Sequence, residues 1–150
     1  MKHSPIAEYA GWLIPSVVAV CSVGVCLAQD SSSVAEVCHQ GLEYFKIKEY
    51  EKAAECFRKA AEQGHARAQF ELGACYSLGK GVSEDSAEAL KWFRKAADQG
   101  HEYSCFMLGV YYECGKGGVE KDIAEAKKWY RRAAAHGNLK AYKKLEALSD

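Results

Sequence analysis

Hydrophobic and small residues recur along this chain with helical spacing. Gln69, Leu72, Gly73 and Tyr76 fall at i, i+3, i+4 and i+7, and Cys105, Leu108, Gly109 and Tyr112 repeat the pattern thirty-six residues later. Each set forms one stripe on a helix, and that stripe is expected to face a neighbouring helix. A glycine inside a helix costs about 1 kcal/mol against alanine, so Gly73 and Gly109 fit positions where a partner helix comes close. Ala89, Ala96, Ala126 and Ala133 supply the small residues opposite, with Trp92 and Trp129 expected to fill the space between.

The stripes belong to a longer internal repeat. His65 to Gly73 returns as His101 to Gly109, and Gly79-Lys80-Gly81-Val82 returns as Gly115-Lys116-Gly118-Val119 with Gly117 inserted. Trp92-Phe93-Arg94-Lys95-Ala96-Ala97 returns as Trp129-Tyr130-Arg131-Arg132-Ala133-Ala134. Asp85-x-x-Glu88 and Asp122-x-x-Glu125 read as capping boxes that start a second helix in each unit. Gly100 and Gly137 end that helix, where a left-handed C-cap needs no side chain. A shorter unit precedes these two, with Gly41 to Tyr44 aligned to Gly73 to Tyr76 and Ala53 to Gly64 aligned to Ala89 to Gly100. After Gly137 the pattern restarts with Ala141 and Leu145 and reads as a solvated cap helix. A fixed period of this kind decides the architecture ahead of local propensity. The expected fold is all-α, a short α-solenoid of antiparallel helix-turn-helix repeats over residues 33–64, 65–100 and 101–137, with a terminal cap helix over 138–150.

The first part of the chain does not share this pattern. Tyr9 to Gln29 is a run of twenty-one residues without a charge, preceded by Lys2 and ending in Cys26-Leu27-Ala28. This is the layout of an export signal over residues 1–28, with the cut expected after Ala28 and the mature protein expected to be secreted or periplasmic. An uncleaved membrane anchor over residues 9–29 is the other reading, since about 20 apolar residues span a bilayer. A lipoprotein anchor fits poorly, because Val20 and Val25 are bulky immediately before Cys21 and Cys26.

Composition narrows the function. Twenty Lys and Arg balance twenty Asp and Glu, so no global field draws the chain to nucleic acid or to an anionic membrane. Two prolines, 27% charged and 49% hydrophobic residues describe a folded body rather than a disordered one.

The run Ala-x-x-x-Leu-Gly-x-x-Tyr, then Gly-Lys-Gly-Val, Asp, Ala, Trp and Ala-Ala-x-Gln-Gly resembles the Sel1-like repeat family, a relative of the tetratricopeptide repeat. The resemblance is strong over Ala66 to Gly137 and weaker over Ser33 to Gly64, where Lys48-Glu49-Tyr50-Glu51-Lys52-Ala53 is closer to an ordinary tetratricopeptide unit. It implies an exported scaffold or adaptor that holds a protein or peptide partner in a concave groove lined by the first helix of each unit, with no cofactor. The groove positions it implies are Ala35, Cys38, Leu42 and Phe45, then Arg67, Phe70, Ala74 and Ser77, then Tyr103, Phe106, Val110 and Glu113. Arg67, Phe70, Ser77, Tyr103, Phe106 and Glu113 are the expected partner-binding residues, since arginine and aromatic side chains concentrate at contact surfaces. Phe70 and Phe106 equally suit a role sealing adjacent repeats, whereas Arg67 and Tyr103 differ between units and offer a partner something to read.

Candidate chemistry is thin. Seven cysteines contain no Cys-x-x-Cys, and five of them, Cys38, Cys56, Cys75, Cys105 and Cys114, lie beyond the signal segment. Some members of a cysteine-rich branch of the family bind or hydrolyse penicillins, which makes that activity the alternative reading. The branch pairs a cysteine late in one unit with one eight residues on, but here the residue eight before Cys105 is Ala97. Cys56 and Cys75 read as small buried hydrophobes, and Cys38 and Cys114 as pointing to the groove or a loop. Ser77-Leu78-Gly79-Lys80 spells the Ser-x-x-Lys of penicillin-recognising enzymes, yet Glu113 takes the serine's place in the next unit and no Ser-Asp-Asn or Lys-Thr-Gly accompanies it. His65 and His101 recur with the period, which suits a helix start better than a metal site, and no catalytic or metal-binding residue is assigned.

Overall fold

A computed structural model describes residues 33–149, and the expected signal segment lies outside them. Among the described residues seven helices follow one another: α1 (residues 33–46), α2 (Tyr50–Glu62), α3 (Ala66–Leu78), α4 (Ser86–Asp98), α5 (Glu102–Cys114), α6 (Ile123–Ala135) and α7 (Leu139–Ala147). Each of α2 to α7 packs on its predecessor or successor in the chain. No strand occurs among the described residues, so the architecture is the all-α solenoid of stacked helical hairpins. None of the described helices is long and apolar enough to cross a membrane.

Polar side chains cap the starts of α3, α4, α6 and α7. Asp85 accepts from the Ala87 and Glu88 backbone N–H groups, and Asp122 from that of Glu125. Only half of the expected capping box forms. The Asp85 and Asp122 N–H groups are taken by the Tyr76 and Tyr112 carbonyls across the hairpin, and Glu88 and Glu125 turn to Lys91 and Lys128 instead. At α3 the cap is His65, whose Nδ1 accepts from Ala68 N–H, and at α7 it is Asn138, whose Oδ1 accepts from Ala141 N–H, whereas His101 at the start of α5 makes no such bond. Past α4 and α6, Gly100 and Gly137 sit at φ of 84° and 91°, left-handed conformations that a side chain would strain.

Two hydrophobic clusters run through the stack. The first joins Cys38, Phe57, Leu72, Cys75 and Trp92, and the second joins Phe93, Cys105, Leu108, Tyr111 and Tyr130. Full burial of each large side chain contributes about 1.5–3 kcal/mol. The close approaches at Gly73 and Gly109 are present, but the tryptophans do not make them. Phe93 covers Gly73, Tyr130 covers Gly109 and Phe57 covers Gly41. One residue is a 100° step around a helix, and that step sends Trp92 into the cluster of the preceding unit and leaves Trp129 half-buried at the rim of the second.

Adjacent hairpins are also linked by polar contacts that follow the repeat. Arg58 donates to the Tyr76 hydroxyl at 3.2 Å, and Arg94 to the Tyr112 hydroxyl at 2.7 Å, each from one unit to the next. Gln69 is buried, donates to the Ala61 carbonyl at 3.2 Å and accepts from Gln99 at 2.8 Å. A buried amide with partners on both sides locks the register of three helices at small cost.

Candidate functional site

The N-terminal halves of α3 and α5 enclose a cleft of about 480 Å³ lined by Arg67, Phe70, Glu71, His101, Glu102 and Tyr103. Helix periodicity puts Arg67, Phe70 and Glu71 on one side of α3, at i, i+3 and i+4. The opposite wall is the cap and first turn of α5, where His101 occupies the N-cap position. Three rings meet there, with the Phe70 centroid 4.9 Å from that of His101 and 6.0 Å from that of Tyr103. Phe70 also leans on Phe93 of the core at 5.8 Å, so one ring serves both the cleft and the packing behind it. Tyr103 is 49% exposed, and beyond it lies a second cleft of about 260 Å³ bounded by Glu102, His136, Leu139 and Lys140.

Charge in the first cleft is unevenly compensated. Burial pushes the Glu71 carboxyl above the usual carboxylate range, and Arg67 pulls it back only partly, its Nε standing 3.7 Å away. Burial also holds His101 below the ordinary histidine range, Arg67 and His65 acting in the same direction and Glu102 against it. Its ring is therefore neutral near pH 7, with Nδ1 hydrogen-bonded to the Ser104 hydroxyl at 3.0 Å.

Of the six expected contact residues, Arg67, Phe70 and Tyr103 come together in this cleft. The other three sit elsewhere. Ser77 accepts from the Tyr111 hydroxyl at 3.1 Å, a link between α3 and α5. Phe106 packs on Tyr130 with centroids 5.5 Å apart. Glu113 accepts from the Tyr130 hydroxyl and from Lys144 Nζ at 2.9 and 3.0 Å, tying α5 to α6 and α7. Sequence reasoning missed Glu71, His101 and Glu102. Glu71 carried a signal, since it lies one turn beyond Arg67 on the same helix face.

Cys38 is not a groove residue. It is only 2% exposed, within the first cluster beside Leu72 and Cys75, and burial raises its thiol pKa. Cys75 is buried and pushed up to about 11, and Cys105 is buried with its thiol 3.9 Å from the Ala97 carbonyl oxygen. Cys56 is half-buried and Cys114 is exposed at the end of α5. All five are free thiols. No group of three His, Cys, Asp or Glu side chains among the described residues is placed to hold a metal ion.

Against known proteins, the Sel1 repeat model matches at residues 32–65, 66–101 and 102–138. A Sel1 repeat protein from Oxalobacter formigenes has 39% identity over 79% of this chain and 91% of its own, with a TM-score of 0.70. A protective antigen present in uropathogenic Escherichia coli strains, which displays an SLR fold, has 35% identity and a TM-score of 0.72 over 79% of this chain and 26% of its own. Cysteine-rich protein B of Helicobacter pylori has 24% identity and a TM-score of 0.63 over 79% of this chain and 94% of its own, a likeness of fold. No curated protein matches.

Proposed function

This chain belongs to the Sel1 repeat family and is a repeat scaffold for protein–protein interaction, and from that premise we propose that it is an exported adaptor which holds an extended partner segment along the faces of α3, α5 and α7. The observation that carries the reading is Tyr103. Its half-exposed ring stands between two clefts, with Arg67 beyond one and Lys140 beyond the other. These three residues occupy the same position in successive units, so an extended segment crossing the stack meets guanidinium, phenol and ammonium in turn. Rigid aromatic area at the middle of a contact face is where binding energy concentrates. Export is supported by the uncharged run from Tyr9 to Gln29 and the small residues Cys26 and Ala28 beside the expected cut.

A photocrosslinker placed at Tyr103 should capture a partner from the cell envelope, whereas the same group at Lys91, exposed on α4, should not. Equal capture from both positions would rule out these clefts as the contact surface. In parallel, the intact mass of the exported protein should show loss of residues 1–28, and a retained N-terminus would support the membrane anchor instead.

A further inference from the structure

The cleft between α3 and α5 carries one guanidinium, Arg67, and two carboxylates, Glu71 and Glu102. With His101 neutral, its lining carries a formal excess of one carboxylate over its cations. Arg67 does not cancel that excess. Its Nε is 3.7 Å from Glu71, beyond a good hydrogen bond, and its side chain is 60% exposed. Glu102 has no ion pair among the described residues. Beside the two carboxylates are the rings of Phe70, His101 and Tyr103, mutually 4.9 to 6.0 Å apart and open to solvent at Tyr103. Aromatic faces attract cations, and the attraction grows as the site is desolvated.

Resting on the groove reading above, we infer that this cleft receives a cationic side chain, lysine or arginine, from the partner segment. The aliphatic stem lies along Phe70 and Tyr103, and the head group is directed to Glu71 and Glu102. Long basic side chains combine these two surfaces in one group. Charge complementarity separates this occupant from its rivals. A carboxylate would gain Arg67 and face two like charges, and a purely apolar side chain would cover the half-buried Glu71 without offering it a partner.

The test uses the full chain and three peptide probes, Gly-Ser-X-Ser-Gly-amide with lysine, norleucine or glutamate at X and a neutral fluorophore on the N-terminus, read by anisotropy. Norleucine keeps the stem and removes the ammonium. The lysine probe should bind about tenfold tighter than norleucine, and the glutamate probe should bind weakest. Glu71→Gln combined with Glu102→Gln should erase that tenfold preference, and Tyr103→Ala should weaken the lysine probe. Arg67→Ala should strengthen the lysine probe, because it removes a competing cation; a merely structural role for Arg67 predicts no gain. Raising salt from about 50 to 500 mM should weaken the lysine probe alone, a check on the unaltered chain that needs no variant to fold.

Norleucine or glutamate binding as tightly as lysine, or Arg67→Ala weakening the lysine probe, overturns the charge assignment while leaving capture from Tyr103 to support the groove. Failure of all three probes overturns it too, and joined with no capture from Tyr103 it removes the groove reading as well.

Discussion

The Tyr130 ring covers Gly109 so closely that a methyl group on the glycine would stand 2.5 Å from two of its carbons. Tyr130 is fully buried, and its hydroxyl is held by Glu113, so the ring has little freedom to slide away. Gly109→Ala gains about 1 kcal/mol of helix propensity and pays about 1–3 kcal/mol or more for overpacking. The overpacking wins here, with an expected net loss of about 1–2 kcal/mol in urea unfolding. Gly73→Ala meets Phe93 at 2.8 and 2.9 Å, a ring with no hydroxyl to anchor it, and should cost less. A gain at Gly109 would show that the ring moves freely, and equal losses would show that the tether through Glu113 adds nothing to the packing that holds both rings.

That contact also marks how far the fold was legible. The repeat period, the two close-approach glycines and the Asp85 and Asp122 caps were all readable, because each is a local pattern that recurs at equivalent places. Which aromatic covers the glycine was not. Trp92 and Phe93 are adjacent in sequence, and only the phase at which α4 docks on α3 decides which of them faces Gly73. The same limit hid half of the cleft. His101 was legible as a helix start, but its place against Phe70 depends on α5 stacking beside α3, a relation between units that no single unit encodes. Cys38 aligns with Phe70 by repeat position, yet Cys38 is buried in the first cluster whereas Phe70 is only partly buried at the edge of the second, a difference between units that the repeat alignment does not carry.

The thiols should separate sharply by reactivity. Cys114 is exposed at the end of α5, whereas Cys75 is buried and its pKa is pushed up to about 11, so little thiolate forms at neutral pH. Iodoacetamide should alkylate Cys114 at least about a hundredfold faster than Cys75, with Cys38 and Cys105 reacting only as the fold opens. Peptide mapping over time measures each rate. Comparable labelling of Cys75 and Cys114 would mean that the first cluster opens locally far more often than its packing implies.

Glu113 makes the join to α7 sensitive to acid. Its pKa is lowered by the Tyr130 hydroxyl, with Lys144 adding to the effect and burial opposing it. A carboxylate whose folded-state pKa is depressed contributes stability that is present above its ordinary value of 4.5 and is lost as pH falls through the lowered one. Glu113→Gln should therefore lower the Tm at pH 7 and differ progressively less from the unaltered chain below about pH 4.5. Melting curves between pH 3 and pH 7 provide the check. A gap that stays constant across that range would assign the loss to packing rather than to charge.

Glu71 reverses the sign, and its reversal ties stability to the cleft. Burial, incompletely offset by Arg67, raises its folded-state pKa above the unfolded value, so ionisation at neutral pH works against the fold. The favourable contribution of the protonated form is present below the ordinary 4.5 and is lost as pH rises through the raised value. Glu71→Gln keeps the size of the side chain and removes the charge, so it should raise the Tm at pH 7 and leave it nearly unchanged in acid, where both side chains are neutral. The same substitution should weaken the lysine probe. A carboxylate that costs the free chain stability and gains a partner only when the cleft is filled is expected at a binding site rather than in a core. A lower Tm at pH 7 for Glu71→Gln would instead make the Arg67 pair a net structural contact, and the negative charge of the cleft would then be part of its framework.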